Sequence, residues 1–322
     1  TSAAILHGQK ILSNIVANQQ VHSLYGGVVP ELASRAHQQN IVPVVDAAIK
    51  KANINKEDIS AIAFTKGPGL LGSLLVGSCF AKSFAMGMNI PLIAVNHMQG
   101  HILSHFIDEG EPIPKFPFLC LTVSGGHTQI VRVESASNMQ VIGTTIDDAA
   151  GEAFDKSAKI LGLPYPGGPH IDKHAKKGNI HTFAFGKSKI KELNFSFSGL
   201  KTSILYKIQN NLQKNPRFIE ENLENLCASI QHSIVSILLN KLEKAIKLTG
   251  IKQLAIAGGV SANSYLRSEL GKLAIDKGHQ LYIPKFEYCT DNAAMIAITG
   301  YFKYLDNNFI DQSEPPSARL SF

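Results

Sequence analysis

Apolar runs and helix-length segments alternate through the first hundred residues. Residues 59–65 and 91–95 are short apolar runs typical of buried strands, and residues 70–88 between them are long enough for a helix. A further helix is predicted after Pro30, where apolar residues recur at roughly helical spacing, with Pro43 as the expected kink. The pattern therefore predicts a long helix followed by a strand–helix–strand unit.

The rest of the chain repeats this alternation and adds an antiparallel element. Two predicted strands flank a glycine turn at Gly125 and Gly126, so the sheets are expected to be mixed. Alternating strands and helices indicate an α/β protein. The predicted strands here are 116–123, 129–133, 140–144, 253–257 and 280–283, and the predicted helices are 148–161, 200–212, 220–248, 263–276 and 291–304.

Two α/β halves predict two lobes with a ligand cleft between them. We place the first lobe at residues 1–115, completed by a C-terminal segment of about 292–322, and the second lobe at residues 116–291. Residues 162–199 are predicted to be an irregular basic segment of the second lobe, because Pro, Gly and Lys are frequent there.

Composition narrows the class of protein. A chain of 322 residues with 44% hydrophobic and 17% charged residues is large enough and apolar enough for a folded core. The apolar segment 70–88 is interrupted by glycines, serines and Lys82, so it predicts a buried helix rather than a membrane span. The four cysteines form no Cys-x-x-Cys pair, which indicates reduced thiols and a cytoplasmic protein.

The net charge of +6 is concentrated in one part of the sequence. Between Asp172 and Lys207 eight lysines are opposed only by Asp172 and Glu192. Such a stretch is either a solvated surface or a sequence-independent contact for nucleic-acid phosphates, and charge alone does not choose between them. The lysines are Lys173, Lys176, Lys177, Lys187, Lys189, Lys191, Lys201 and Lys207.

His97 and His101 are the first candidate metal ligands. Residues four apart on a helix lie on one face, so both imidazoles can bind one ion, and Asn96 is a plausible N-cap for that helix. The alternative is two histidines on an ordinary helix surface. A zinc protease would need a glutamate base after the first histidine, where this chain has Met98.

Asp291 is the best candidate for a third ligand. It is predicted to open a helix, so its alternative role is that of an N-cap. Two imidazoles and one carboxylate with open positions suit Fe(II), or zinc with room for a substrate.

Two glycine turns are candidate ligand-binding loops. Residues 122–128 place Gly125 and Gly126 between strands, where positive φ angles and successive N–H groups can form an anion site. Gly258 and Gly259 follow another buried strand and lead to Asn263, which can bind a ribose or cap the next helix. In each case the alternative is an ordinary structural turn.

Acidic residues before and within the helix predicted at 148–161 add further candidates. Asp148 is expected to be its N-cap, whereas Asp155, in the middle of the helix, suggests binding of a hydroxyl or amine. The segment from Tyr165 to Pro169 is expected to form a rigid turn that walls a pocket.

These motifs together resemble the tRNA N6-adenosine threonylcarbamoyltransferases, the TsaD-type proteins formerly called O-sialoglycoprotein endopeptidases. The resemblance extends from Thr1 to about Arg319. The segments that carry it are 26–35, 67–70, His97 with His101, 123–129, 147–156, 195–201, 258–263 and 289–292.

The resemblance implies an actin-like ATPase (ribonuclease-H-like) fold with its ligand in an interlobe cleft. It implies that His97, His101 and Asp291 bind one divalent metal, with Fe(II) favoured over zinc or magnesium. It also implies that ATP or threonylcarbamoyl-AMP contacts Thr122, Val123, Ser124, Gly125, Gly126, Asp155, Gly168, Asp172 and Asn263.

The implied activity is transfer of a threonylcarbamoyl group from its AMP mixed anhydride to N6 of the adenosine just 3′ of the tRNA anticodon. The implied partners are tRNA, a paralogous actin-like subunit, a P-loop ATPase and a threonylcarbamoyl-AMP synthase, with no membrane. The alternatives are a metalloprotease, which lacks its glutamate base here, and a non-catalytic actin-like scaffold, which would be expected to lose the histidine pair. No residue is assigned as catalytic.

The first residues match the family only from the end of its opening strand. We expect roughly ten further residues ahead of Thr1 in the native protein, about one strand and its turn, including an acidic residue that faces the ligand phosphates.

Overall fold

A computed structural model describes residues 1–17, 28–186 and 190–322. The chain forms two compact units, which we call the first and the second unit. The first comprises Thr1–Pro114, Glu134–Met139 and Pro284–Phe322, and the second comprises Lys115–Val133 and Gln140–Ile283. The predicted motif residues Gly26 and Gly27 and the lysines Lys187 and Lys189 lie outside the described residues.

The first unit contains two small sheets. Strands β1 (Ser2–His7) and β2 (Lys10–Val16) form an antiparallel hairpin, while β3 (Ile62–Gly67) and β4 (Leu92–Asn96) are parallel. A parallel pair needs a long crossover, and α2 (Leu71–Met88) supplies it. The other helices of this unit are α1 (Pro30–Ala52), α3 (His97–Leu103), α9 (Phe286–Cys289) and α10 (Ala293–Leu305).

The second unit is built on a five-stranded mixed sheet. Its order is β7 (Met139–Thr144), β6 (Thr128–Val133), β5 (Phe118–Val123), β8 (Gln253–Ala257) and β9 (Gln280–Tyr282). Strand β5 is antiparallel to β6 and parallel to β8, so it is the strand at which the sheet changes direction. The helices are α4 (Ala150–Ile160), α5 (Gly167–Ala175), α6 (Ser198–Leu212), α7 (Phe218–Thr249) and α8 (Ser264–Lys277).

The strands and helices predicted from periodicity are all present, with ends displaced by a few residues. The prediction of mixed sheets is confirmed by the direction change at β5. The hairpin β1–β2 and the helices α5 and α9 were not predicted.

The segment 162–199, predicted to be irregular, contains one helix near its start, because α5 occupies Gly167–Ala175. This helix begins with Gly-Gly-Pro, which reads as a turn in sequence. A Cβ at Gly167 would lie 2.3 Å from the Cβ of Ala158, so the glycine is there to let α5 pack directly on α4. Pro169 lies in the first turn, where a missing N–H breaks no helical hydrogen bond.

The prediction that α2 is a buried helix also needs correction. One face is buried, through Leu74, Ser78, Ala81 and Ala85. Leu71, Leu75 and Met86 are nevertheless exposed, with exposed fractions of 50%, 44% and 68%. By length and apolarity alone α2 also resembles a membrane span, but a single helix of this kind is weak support for one, because core helices have the same composition.

Candidate metal centre and nucleotide-binding turns

Helix α3 holds both histidines because it starts immediately after a buried strand. Asn96, the last residue of β4, caps the helix, its side-chain oxygen accepting from the backbone N–H groups of Met98 at 2.9 Å and Gln99 at 3.4 Å. The cap fixes the first turn, so His97 and His101 project from one face. Their rings meet edge to face, with centroids 4.8 Å apart.

The histidines meet Asp291 in the first unit. One carboxylate oxygen, Oδ1, lies 3.2 Å from Nε2 of His97 and 3.3 Å from Nε2 of His101. Ligand atoms of the three residues lie within 4.8 Å of one another. The three predicted ligands are therefore close enough to bind one ion.

The chemistry of this group fits a metal. His101 is 1% exposed, yet neither of its ring nitrogens has an aligned hydrogen bond among the described residues. A buried polar atom without a partner is costly, and metal binding would satisfy one of these two nitrogens. Desolvation raises the pKa of the Asp291 carboxyl, but the two imidazoles lower it by more. The pKa of this carboxyl is therefore lowered overall, so the group is ionised, as a ligand must be.

Asp291 is not the N-cap of the following helix, contrary to its alternative role. Asn292 occupies that position and accepts from the N–H of Met295 at 3.1 Å, while its own amide donates to the carbonyl of Thr290 at 2.8 Å. The capping role is filled by its neighbour, which leaves the carboxylate of Asp291 directed to the histidines.

The turn after β5 contains no left-handed glycine, and its two glycines face open space. The N–H of Ser124 donates to the carbonyl of His127 at 2.8 Å, and the Ser124 hydroxyl accepts from the N–H of His127 at 3.1 Å. Neither Gly125 nor Gly126 has a positive φ, so that expectation is wrong. A Cβ at either would meet no atom within 4 Å, so the backbone at this turn is open on that side.

Two other glycines, Gly258 and Gly151, pack directly against the backbone of this turn. Gly258, with φ of 88°, would place a Cβ 2.5 Å from the carbonyl oxygen of Val123. Gly151, in the first turn of α4, would place one 2.5 Å from the carbonyl oxygen of Ser124. A side chain at either position would push the turn out of place. Thr122, which precedes Val123 in β5, is completely buried.

Asp155 is an anchor for α5. Its Oδ1 accepts a hydrogen bond from the N–H of Gly167 at 2.7 Å. The N-cap residue, Pro166, has no side-chain acceptor for this N–H group. Burial raises the pKa of the Asp155 carboxyl, although the donating amides of Gly167 and Gly168 lower it in part and Glu152 raises it further. The structure thus brings the predicted residues Asp155 and Gly168 together.

Asp172 and Asn263 meet at the start of α8. Asp172 accepts from the hydroxyl of Ser264 at 2.8 Å and from its N–H at 3.3 Å. Asn263 caps the helix by accepting from the N–H of Leu266 at 2.9 Å, and its amide donates to Gln231 at 2.7 Å. The capping role of Asn263 is present in the structure, and both ends of its side chain are engaged.

Sequence reasoning missed a cluster of charges between α4 and α6. Asp148 is not an N-cap, because Ala149 occupies that position; it pairs with Lys156 at 2.8 Å and lies 3.6 Å from Lys201. Lys156 also pairs with Glu152 at 2.7 Å. The spacing of Glu152 and Lys156 was a usable signal, but the approach of Lys201 depends on the tertiary fold.

The family model of TsaD, described as tRNA N6-adenosine threonylcarbamoyltransferase, matches residues 10–298. The chain belongs to this family. Among its relatives, proteins of that name from Christiangramia forsetii and Riemerella anatipestifer are 62% and 59% identical. The first alignment covers 100% of this chain and 95% of the relative, and the second covers 99% and 94%.

The TsaD-family chain also has solved structural neighbours. Full-length HypF in the phosphate- and nucleotide-bound form matches with a TM-score of 0.57 at 14% identity, over 80% of this chain and 40% of that one. HypF from T. kodakarensis matches with a TM-score of 0.58 at 12% identity, over 83% and 43%. The chain spans about two fifths of each HypF protein. At such identities the likeness concerns the fold, which is the predicted actin-like ATPase (ribonuclease-H-like) class.

We predict that His101→Ala abolishes stoichiometric metal binding, because it removes the one buried ligand. Metal content of the purified protein, measured by elemental mass spectrometry, provides the check. Gln99→Ala is the matched control, since Gln99 lies on the same helix between the two histidines and is not a ligand. Unchanged metal content in the His101 variant would show that the site is misassigned.

Proposed function

We propose that this chain moves a threonylcarbamoyl group from threonylcarbamoyl-AMP to N6 of the adenosine that follows the anticodon. The substrates are tRNAs that read codons beginning with A. The observation that carries the proposal is membership of the tRNA N6-adenosine threonylcarbamoyltransferase family over residues 10–298. The convergence of His97, His101 and Asp291 supports it, because the chain retains a complete candidate metal site.

The reaction is an acyl transfer from a mixed anhydride. The adenosine N6 nitrogen attacks the carbamoyl carbonyl carbon, a C–N bond forms, the C–O bond to the phosphate breaks, AMP leaves, and N6 loses a proton. The protein must therefore hold a nucleotide phosphate, stabilise charge on the carbonyl oxygen and position the tRNA base.

We assign the metal ligands to His97, His101 and Asp291 and propose Fe(II) as the ion. A two-histidine, one-carboxylate set with open positions suits Fe(II), while zinc and magnesium are the alternatives. When bound, such an ion supplies Lewis-acid stabilisation of negatively charged oxygen.

We further propose that ATP or threonylcarbamoyl-AMP contacts the turn from Thr122 to Gly126. The open backbone at Gly125 and Gly126 supports this assignment, since N–H groups in such turns bind anions. Asp155, Gly168, Asp172 and Asn263 surround the N-termini of α5 and α8 in the same unit. Asp155 and Asp172 hold the starts of α5 and α8. Any contact of these two residues with the ligand is then made by their remaining polar atoms.

Gly259→Val is expected to weaken nucleotide binding by at least about tenfold, the equivalent of about 1.4 kcal/mol. A Cβ at Gly259 meets no atom within 4 Å, so the added bulk enters open space beside the turn. Gly258 is unsuitable for this test, because a Cβ there strikes Val123. Calorimetric titration with ADP gives the affinity, and Gly271→Val on α8, also in open space, is the control. Equal affinity in both variants would remove this turn from the proposed site.

For tRNA, we propose contact at a shallow groove between α4 and α6. Lys156, Lys159 and Lys201 line it together with Ile160 and Leu205. Lys156 and Lys201 are close to Asp148, whereas the side chain of Lys159 is exposed. Lys156 and Lys159 lie outside the basic segment that the sequence indicated, so we propose that the tRNA contact extends onto α4.

We expect Lys159→Glu to weaken tRNA binding and to make its salt dependence shallower, by roughly 0.7–0.9 in the log–log slope for each phosphate that the variant no longer neutralises. Filter binding at several salt concentrations measures the slope. Lys51→Glu, on the exposed surface of α1, produces the same change in net charge and is the control. Identical slopes for the two variants would return the groove to an ordinary solvated surface.

Partners and compartment complete the proposal. The exposed apolar side chains of Leu71, Leu75 and Met86 on α2 support packing of a paralogous actin-like subunit there, because exposed apolar groups favour protein contact. We also propose a P-loop ATPase partner, and a threonylcarbamoyl-AMP synthase that supplies the donor. The tRNA substrate is consistent with action in the cytoplasm.

Two other functions are disfavoured. A metalloprotease of the His-x-x-x-His type uses a glutamate base, and Met98 and Gln99 stand between these ligands instead. A non-catalytic scaffold would have no need of a complete ligand set, and the three ligands are present.

The proposed activity is tested directly with the purified chain, its partner subunits, threonylcarbamoyl-AMP and a tRNA transcript. We expect nucleoside mass spectrometry to show threonylcarbamoyl on adenosine, with at least about a hundredfold slower transfer for His101→Ala, as loss of a charge-stabilising group produces. A transcript with guanosine in place of that adenosine lacks the N6 amine and must stay unmodified. Absence of product with fully loaded wild-type protein would refute the proposal.

A further inference from the structure

The position of the Asp291 carboxylate depends on how its chain segment is held. The two histidines stand on α3, which follows the completely buried strand β4 and has a side-chain cap. Asp291 stands on a different segment, between α9 and α10. It reaches both imidazoles through a single oxygen. A small shift of this segment would therefore change both contacts at once.

Helix α9 cannot hold the segment by itself. It has four residues and no side-chain N-cap, and helices this short are not stable in isolation. Two contacts to one acid help to hold it. The Tyr288 hydroxyl donates to Oε1 of Glu109, and the Lys285 ammonium donates to Oε2 of the same carboxylate. Tyr288 is 5% exposed, so its hydroxyl needs this acceptor.

Glu109 is itself attached to the histidine side of the site. It follows α3 and the one-turn helix Ser104–Phe106 by a few residues. The preceding residue, Asp108, donates its N–H to the carbonyl of Gln9 at 2.8 Å, and its side chain accepts from Gly110 at 3.3 Å. These hydrogen bonds hold the start of the loop, so the backbone that carries the Glu109 carboxylate is fixed in position.

We propose that Glu109 is a positioning residue for the metal site, acting through Tyr288 and Lys285 to hold Asp291 against His97 and His101. The acid joins the chain segment that carries the histidines to the segment that carries the carboxylate. Asn292 holds the other side of Asp291 through its cap on α10. The inference rests on the proposed metal site, which His101→Ala tests separately.

Zinc titration of the metal-free full chain by calorimetry tests this role. Glu109→Gln and Tyr288→Phe are each expected to lower zinc affinity about tenfold, the lower end of the effect of groups that orient ligands. Because both variants disrupt the contact between Tyr288 and Glu109, the double variant is expected to bind zinc only slightly less tightly than the weaker-binding single variant. The metal-free melting temperature is expected to stay within about 5 °C of wild type.

Glu111→Gln is the matched control. Glu111 acts on Lys285 by charge, so this variant removes a nearby negative charge without removing either contact to Glu109. Tyr288→Phe removes a hydrogen bond without changing charge. Equal losses of affinity in Glu111→Gln and Glu109→Gln would overturn the inference, because a distant charge effect would then explain both.

The remaining outcomes are also decisive. Zinc affinity within about twofold of wild type in either Glu109→Gln or Tyr288→Phe would overturn the positioning role. A fall of more than about 5 °C in the metal-free melting temperature would overturn it too, since local unfolding would then explain the weaker binding. If His101→Ala binds zinc normally, the metal site itself is wrong. Abolished binding in His101→Ala with unchanged affinity in Glu109→Gln refutes only the present inference.

Discussion

Carboxylates at helix N-termini organise the second unit. Pro166 and Phe197 precede α5 and α6 without a side-chain cap. Asp155 accepts from the first N–H of α5, and Asp147 accepts from the N–H groups of Phe197 at 2.8 Å and Ser198 at 3.3 Å. Such contacts satisfy orphan donors and oppose the positive end of the helix dipole. Asp155 comes from α4 and Asp147 from the loop that precedes α4, so capping also fixes how α5 and α6 pack on this part of the chain.

The same principle extends to α8, where Asp172 from α5 accepts from Ser264. The aspartates therefore connect α4 to α5 and α5 to α8. Gly151 and Gly258 then allow the first turn of α4 and the turn after β8 to touch the end of β5 without an intervening side chain. Backbone and charge together define the proposed nucleotide region, and the predicted contact residues are part of its framework.

The candidate metal site in the first unit follows a different logic. Within the described parts of the chain, His101 is buried without an aligned hydrogen bond, and Asp291 is ionised beside it. A protein rarely leaves a buried imidazole without a partner unless a ligand supplies one. The Glu109 contacts hold the carboxylate-bearing segment from outside, which is how groups around metal ligands usually contribute.

The sequence by itself determined the α/β class and the order of most elements, and it singled out the three residues of the candidate metal site. It could do so because strand and helix periods are local, and because His97 and His101 are one helical turn apart. The family resemblance rested on motifs that are likewise contiguous. Asp291 was identified as a candidate, but its distance from the histidines was not accessible from spacing.

Only the tertiary structure decided the partners of residues distant in sequence. It brought Asp155 to the start of α5, Lys201 close to Asp148, and Glu109 to Tyr288. No local period in the sequence encodes these contacts. It also showed a helix at Gly167–Ala175 where Gly and Pro predicted a turn, because direct packing on Ala158 outweighs poor local helix propensity. Local chemistry chose which groups were available, and packing chose which of them meet.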